Sequence, residues 1–229
     1  MRTRDPSEMM LPPVTPDLLL RAYAAGVFPM AEHRDDPDLF WVDPRRRGVL
    51  PLERFHVSRS LRRRILRGAY GTSVNRDFAG VLRGCADRPE TWINERIQSL
   101  YLALFEAGYA HSQEVWQGGE LVGGVYGVAL GGAFFGESMF SRRPDASKVA
   151  LAFLTERLRR GGFTLFDTQF VTPHLLTLGA EEIPRAAYHK RLREALRTPA
   201  RFDPRAAEPS PDAAARLAQE VVQRSTQRS

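Results

Sequence analysis

Apolar residues recur along this chain with two periods, and the changes of period divide it into elements. Ile97, Leu100, Tyr101, Leu104 and Phe105 keep the i, i+3, i+4, i+7, i+8 spacing of an amphipathic helix. Asn94 supplies its cap and Gly108 its stop. Residues 110–116 then read as a strand, Gln117-Gly118-Gly119-Glu120 as a hairpin turn, and 121–130 as the returning strand. Gly131-Gly132 turns the chain into a third strand over 133–139. Asp145, after Pro144, is the expected cap of a helix reaching about Arg160 and closed by Gly161-Gly162. Residues 163–170 form a further strand, a short helix begins near Pro173-His174, and 185–196 is helical. Upstream, Thr15, Pro16 and Gly26 mark the cap, first turn and stop of a helix. A second helix over 58–67 sets Leu61 and Ile65 on one face, and 75–84 adds a short third.

The order helix, three antiparallel strands, helix, then a strand beside the last hairpin strand is the centre of an N-acetyltransferase-like (GNAT) α/β fold, a mixed sheet flanked by helices. The proline-rich, aromatic stretch before it reads as part of a small N-terminal domain, residues 1–57, with residues 1–10 frayed. Residues 58–198 make the main domain. After Pro199 the composition turns to Pro, Ala, Asp and Arg, so 199–229 is expected to be a flexible tail with one short helix around 212–223.

Composition narrows the function classes. A chain of 229 residues with 43% hydrophobic and 26% charged content can bury a sizeable core. The single cysteine, Cys85, excludes an internal disulfide and a cysteine-based zinc site. The histidines show no ligand spacing, so no metal is expected, and His56, His111 and His174 read as structural. With no charged start leading into an apolar run and no bilayer-length apolar stretch, a cytoplasmic protein is expected. The net charge of +6 is carried by arginine, with Lys148 and Lys190 the only lysines. Arg59, Arg62, Arg63 and Arg67 cluster on one side of the 58–67 helix, either a solvated stripe or a phosphate-binding one.

The chemistry concentrates in Gly136-Glu-Ser-Met-Phe-Ser-Arg-Arg-Pro-Asp-Ala-Ser-Lys148 and in the strand containing Asp167 and Gln169. Residues two apart on a strand leave the same face. A carboxylate and an amide side by side suit proton handling and the positioning of an amine or oxyanion; a polar pair at a wet strand end is the plainer alternative. A coenzyme A user would carry a glycine-rich turn before the following helix. Phe140-Ser-Arg-Arg-Pro-Asp-Ala-Ser147 has no glycine, and Pro144 removes a backbone donor.

Several segments, in order over roughly residues 15–195, resemble the leucyl/phenylalanyl-tRNA–protein transferase family. They are Ala22-Tyr-Ala-Ala-Gly-Val-Phe-Pro29, Trp41 with Pro44-Arg45, Phe55-His-Val-Ser-Arg-Ser60, Thr91-Trp-Ile93, His111-Ser-Gln-Glu-Val-Trp116 and Leu121-Val-Gly-Gly-Val-Tyr-Gly127. The Gly136–Lys148 stretch, Asp167-Thr-Gln169 and Leu178-Gly-Ala-Glu-Glu-Ile-Pro-Arg185 complete the set. The resemblance implies transfer of leucine or phenylalanine, with methionine as a further donor, from aminoacyl-tRNA to proteins beginning with Arg or Lys, which marks them for N-degron-dependent proteolysis. No cofactor beyond the charged tRNA, no membrane partner and a monomer are expected.

The resemblance also assigns residues. Asp167 and Gln169 match the family's catalytic pair, with Glu137 beside them. Gln169 is expected to position the attacking amine and Asp167 to orient it and temper its charge. Val125, Phe134, Leu154 and Phe166 match the amino-acid pocket, although each would serve equally as core. Relatives often carry a bulkier residue at the Val125 position, so a larger pocket here tilts preference towards phenylalanine. Trp92, Tyr101 and Tyr23 match aromatics that contact the terminal adenosine and its surroundings; the helical spacing fits Tyr101 equally to the core. Ser141 falls on the expected substrate-binding loop. Met30 stands where relatives often have tryptophan, and the stretch before residue 15 is short compared with some of them. The arginine-rich helix becomes a candidate tRNA acceptor-stem surface. Three readings compete: a coenzyme A-dependent N-acetyltransferase, a non-catalytic tRNA-binding module, and a peptidoglycan-bridge aminoacyltransferase, whose usual duplicated domains exceed this chain.

Overall fold

The computed structural model describes residues 14–31, 39–203 and 205–216. The expected fraying of 1–10 and the far end of the helix expected at 212–223 lie outside them. In chain order the elements are α1 (Pro16–Ala25), β1 (Phe28–Met30), β2 (Phe40–Val42), β3 (Arg46–Val49), a 3-10 turn (Leu52–Arg54), α2 (Arg59–Leu66), β4 (Gly71–Val74), α3 (Phe78–Ala86) and α4 (Glu95–Glu106). There follow β5 (Ala110–Gln117), β6 (Glu120–Leu130), β7 (Ala133–Ser141), α5 (Ala146–Arg160), β8 (Leu165–Gln169), α6 (Pro173–Leu176), β9 (Glu181–Pro184), α7 (Arg185–Arg197) and α8 (Pro211–Arg216).

The local signals act as their chemistry dictates. The Thr15 side chain accepts from Leu18 N–H, and Asn94 accepts from Ile97 N–H. Gly26 ends α1 at φ 85°, and a Cβ there would lie 2.5 Å from the His189 ring, so this corner needs glycine. Asp145 departs from expectation. It stands at φ 63° and makes no capping bond, because its carboxylate is engaged by Arg64 at 3.1 Å and Lys148 at 3.2 Å. Instead, Ser141 Oγ accepts from the Ser147 N–H at 3.2 Å.

Strands β4-β5-β6-β7-β8-β3-β9 form one seven-stranded sheet, antiparallel except for the β7–β8 pair. Alternation along the strands feeds two cores. Val115, Val125, Phe134 and Phe166 pack with α2 and α5 on one face. Tyr126, Val128, Phe135 and Leu165 pack with α1, α3, α4 and α7 on the other. Each buried side chain of this size contributes about 1.5–3 kcal/mol through its removal from water.

Two expected boundaries are corrected. β3, from the stretch assigned to the N-terminal domain of 1–57, lies inside the main sheet between β8 and β9. It is short and passes so close to β8 that a Cβ on Gly48 would sit 2.6 Å from the Phe170 carbonyl carbon, so no hydrophobic alternation announced it. Of the expected flexible tail, 199–229, the described part as far as residue 216 instead packs over α5. Phe202 stacks on His111 at 4.0 Å, and Glu208 accepts from Arg157 at 2.6 Å. Ala214 and Ala215 are buried. The tail reaches the polar side of α5, where the buried Arg157 donates to Asp203 O at 2.8 Å.

The parallel pairing of β7 with β8 runs from Ala133–Leu165 to Phe135–Asp167 and stops. β7 continues to Ser141 along β6. Beyond residue 135 the two strands therefore part, and their backbones frame an opening in the sheet.

Candidate active site

A cavity of about 640 Å³ occupies this fork. Glu137 on β7 and Thr168, Gln169 and Phe170 from the end of β8 line it. Val125, Met139, Leu151, Phe166 and Leu175 give it an apolar wall, and Trp92 and Arg88 stand on the side of α3 and α4. One end reaches Ser141, Arg142 and Ser147 at the start of α5.

Asp167 and Gln169 do not share a face of the cavity, as strand alternation led us to expect. Asp167 is 0% exposed and Gln169 7%, and only Gln169 lines the opening. The alternation fails because Gln169 adopts φ 55°, where L-residues are strained, and Thr168 O accepts from Phe170 N–H at 2.6 Å across it. Asp167 holds this turn: its Oδ1 accepts from the Gln169 N–H at 2.9 Å. The carboxylate is gripped in turn by Arg47, through Nε to Oδ1 at 2.9 Å and Nη2 to Oδ2 at 2.6 Å, and the Tyr188 hydroxyl donates to Oδ2 at 2.7 Å. The Arg47 guanidinium is itself fixed. It donates to Gly26 O at 3.0 Å and lies 4.5 Å from the Phe28 ring and 4.4 Å from the Tyr188 ring. Burial disfavours the cation, but its bonds to Asp167 prevail and hold its pKa above the ordinary value.

Around the opening, Gln169 Nε2, Thr168 Oγ1 and His174 Nε2 are buried without a hydrogen-bond partner among the described residues. A buried donor left unmade costs about 1–3 kcal/mol. Three such atoms belong to residues that line one cavity, which makes it a candidate ligand site. Glu137 faces α1 and α4, where the Tyr23 and Tyr101 hydroxyls reach its two oxygens at 2.8 and 2.6 Å. Burial is the chief influence on Glu137 and pushes its carboxyl up to about 7, against the pull of the two tyrosines.

Of the expected pocket residues, Val125 and Phe166 line the cavity. Phe134 and Leu154 do not; Phe134 packs edge-on to Phe166 at 5.5 Å, and both residues sit in the core behind the wall. Trp92 lines the cavity, whereas Tyr23 and Tyr101 are fully buried and reach it only through Glu137. Of the three aromatics, therefore, only Trp92 lines the cavity itself. Ser141 lines the rim, its hydroxyl donating to Arg143 O at 2.9 Å. Away from the fork, Arg59, Arg63 and Arg67 are exposed and Arg62 half-buried on α2. Arg63 and Arg67, with Arg64 and Ser60, border a second hollow of about 310 Å³. Sequence reasoning missed Arg47 and Tyr188. A buried aspartate demands a counter-charge, and Arg47 directly before the apolar Gly48-Val49-Leu50 run was the available hint. Tyr188, Leu192 and Ala195 form the buried stripe of α7.

Among the described residues no group of three or more His, Cys, Asp or Glu is placed to hold a metal ion, and no helix is long and apolar enough to cross a membrane. The profile of the leucyl/phenylalanyl-tRNA protein transferase family matches residues 49–193, and that of its N-terminal domain matches 13–45. The leucyl/phenylalanyl-tRNA–protein transferase of Cereibacter sphaeroides is 64% identical over 221 residues, covering 96% of this chain and 100% of that one. The protein of the same name from Roseobacter denitrificans is 62% identical over 217 residues, 94% of this chain and 99% of that one. Among solved structures, FemX aligns with a TM-score of 0.48 at 13% identity over 73% of this chain and 66% of that chain, too slight a likeness to argue from. The chain thus belongs to the leucyl/phenylalanyl-tRNA–protein transferase family of aminoacyltransferases.

Proposed function

We propose that this protein moves leucine or phenylalanine, with methionine as a further donor, from the 3′ ribose of a tRNA to the α-amino group of proteins beginning with arginine or lysine, marking them for N-degron-dependent proteolysis. It does so in the cytoplasm, as a monomer with a GNAT-like core, and with charged tRNA as its only carrier. The observation that carries this reading is the fork cavity, which has an apolar wall and is also lined by residues that carry unpartnered polar atoms. An aminoacyl ester has the same two characters, an apolar side chain beside a carbonyl and a ribose.

In the reaction the acceptor amine, with a reference pKa of about 7.7–8.0, is already partly neutral near pH 7. Alignment therefore matters more than strong base activation. The Gln169 carboxamide positions the amine and ester, and Asp167 acts through it by fixing the Gln169 turn. Trp92 offers a stacking surface for the terminal base, worth about 1–3 kcal/mol. Val125 and Phe166 bound the amino-acid side chain. Enlarging Val125 to Met narrows that space, so Val125→Met is expected to shift the ratio of phenylalanine to leucine transfer towards leucine, read by competing the two charged tRNAs.

The arginines of α2 fit a tRNA backbone, which is recognised by charge with little sequence reading. Replacing Arg62, Arg63 and Arg67 together by alanine should weaken tRNA binding and lower the slope of log K against log salt by roughly one for each phosphate no longer neutralised. An unchanged slope assigns the stripe to ordinary solvation. Coenzyme A is a poor alternative donor, because amides at the start of α5 are already taken: Ala146 N–H donates to Arg143 O and Ser147 N–H to Ser141 Oγ. A peptide beginning with arginine, incubated with Leu-, Phe- or Met-tRNA or with acetyl-coenzyme A and then weighed by mass spectrometry, separates these cases. Addition of an aminoacyl residue from tRNA supports the proposal, and acetylation overturns it.

A further inference from the structure

Glu137, Tyr23 and Tyr101 close a ring in which three short contacts join four oxygens. The Tyr23 hydroxyl lies 2.8 Å from Glu137 Oε1, the Tyr101 hydroxyl 2.6 Å from Oε2, and the two hydroxyls are 2.6 Å from one another. Each oxygen–oxygen approach of this length requires a proton between the two atoms. Each tyrosine supplies one proton. With Glu137 ionised, two protons serve three oxygen pairs, and the remaining pair sets lone pair against lone pair. With Glu137 protonated, three protons serve the three pairs and the ring is complete.

We propose that Glu137 is the general acid of the site: it rests in its protonated form within the tyrosine ring and gives that proton to the ribose oxygen as the ester breaks. This assignment rests on aminoacyl transfer at the fork cavity, which Glu137 lines. The acceptor amine attacks the ester carbon and a carbon–nitrogen bond forms. The bond from that carbon to the ribose oxygen then breaks, its electron pair leaving with the oxygen, which takes the Glu137 proton. The surplus proton on the new amide nitrogen passes to the Glu137 carboxylate, so the enzyme ends as it began.

The surroundings agree. The groups facing the carboxyl are Tyr23 from α1, Arg47 from β3, Tyr101 from α4, Tyr126 from β6 and Asp167 from β8. Burial and the Asp167 charge favour the acid form; the two tyrosine bonds and Arg47 oppose them, leaving the group near 7. Burial beside Glu137 drives both phenols well above their ordinary value, so the tyrosines keep their protons. An acid poised close to the working pH is matched to proton transfer. As pH rises through about 7 the acid form is lost, so turnover falls there while the fraction of neutral amine still climbs.

Two phenylalanyl donors test this assignment: phenylalanyl-tRNA and phenylalanine 4-nitrophenyl ester, whose leaving group departs without protonation. Glu137→Gln should lose roughly 10²–10⁴-fold in kcat with the tRNA donor and a much smaller factor with the nitrophenyl ester. Glu137→Asp, still an acid, should recover part of the tRNA-dependent rate. The wild-type rate should fall above pH 7 with the tRNA donor only. Equal losses with both donors, or a wild-type profile with no falling limb, overturn the assignment. A wild type inert towards both donors overturns the aminoacyl-transfer reading itself, and this assignment with it.

Discussion

Arg47→Leu is expected to destabilise the protein by about 3–5 kcal/mol, because it strands the Asp167 carboxylate in the core without its counter-charge. For a chain of this size that corresponds to a drop in Tm of roughly 10 °C. Asp167 is 0% and Arg47 1% exposed, so no water can replace the missing bonds. The same change frees Asp167 to shift, and with it the Gln169 N–H it holds at 2.9 Å. Turnover should therefore fall even at temperatures where the variant stays folded. The double variant Arg47→Leu, Asp167→Leu should be less destabilised than the two single losses added together, since it removes the buried charge as well as its partner. Thermal unfolding of the three variants measures this coupling. A Tm within a degree or two of the parent for Arg47→Leu would mean that the pair is not the brace described here.

Gln169 should behave in the opposite way. Gln169→Ala removes a buried, unpartnered Nε2 and should leave stability unchanged or slightly higher. Gln169→Gly also relieves the φ of 55°, worth about 1 kcal/mol. Both should lower kcat by roughly 10²–10³-fold, the scale of losing one well-placed hydrogen-bonding group in a site. Tighter folding with lost activity is the signature of strain held for function. Ordinary core residues lose both together. Unfolding curves and single-turnover transfer rates measured on the same preparations settle it, and a Gln169→Gly variant that is less stable than the parent contradicts the account.

The hairpin from 110 to 130, the helix after it and the strand at 165 were legible because their periodicity, caps and glycine turns all agree. The parallel placement of β8 beside β7 followed from that order. The short strands β3, β4 and β9 were not legible, since four residues such as Gly71–Val74 carry no resolvable alternation. The part of the tail before residue 217 was not legible because composition reports what a segment lacks, whereas Phe202, Glu208 and the α8 alanines suffice to dock it. At the site, the identity of Gln169 was readable and its orientation was not. A left-handed φ at a non-glycine residue is imposed by tertiary bonds, here the Asp167 acceptor, and leaves no mark in the local sequence. Arg47 was hidden for a related reason: its partner lies 120 positions away.

The central claim is that the fork between β7 and β8 receives the aminoacyl end of the tRNA. The most direct measurement is a crystal structure with a phenylalanyl-adenosine analogue in which an amide replaces the ester. The account predicts the phenyl ring between Val125, Leu151 and Phe166, with the analogue's carbonyl within hydrogen-bonding distance of the Gln169 side chain. An analogue seated elsewhere, with the fork cavity empty, would contradict it.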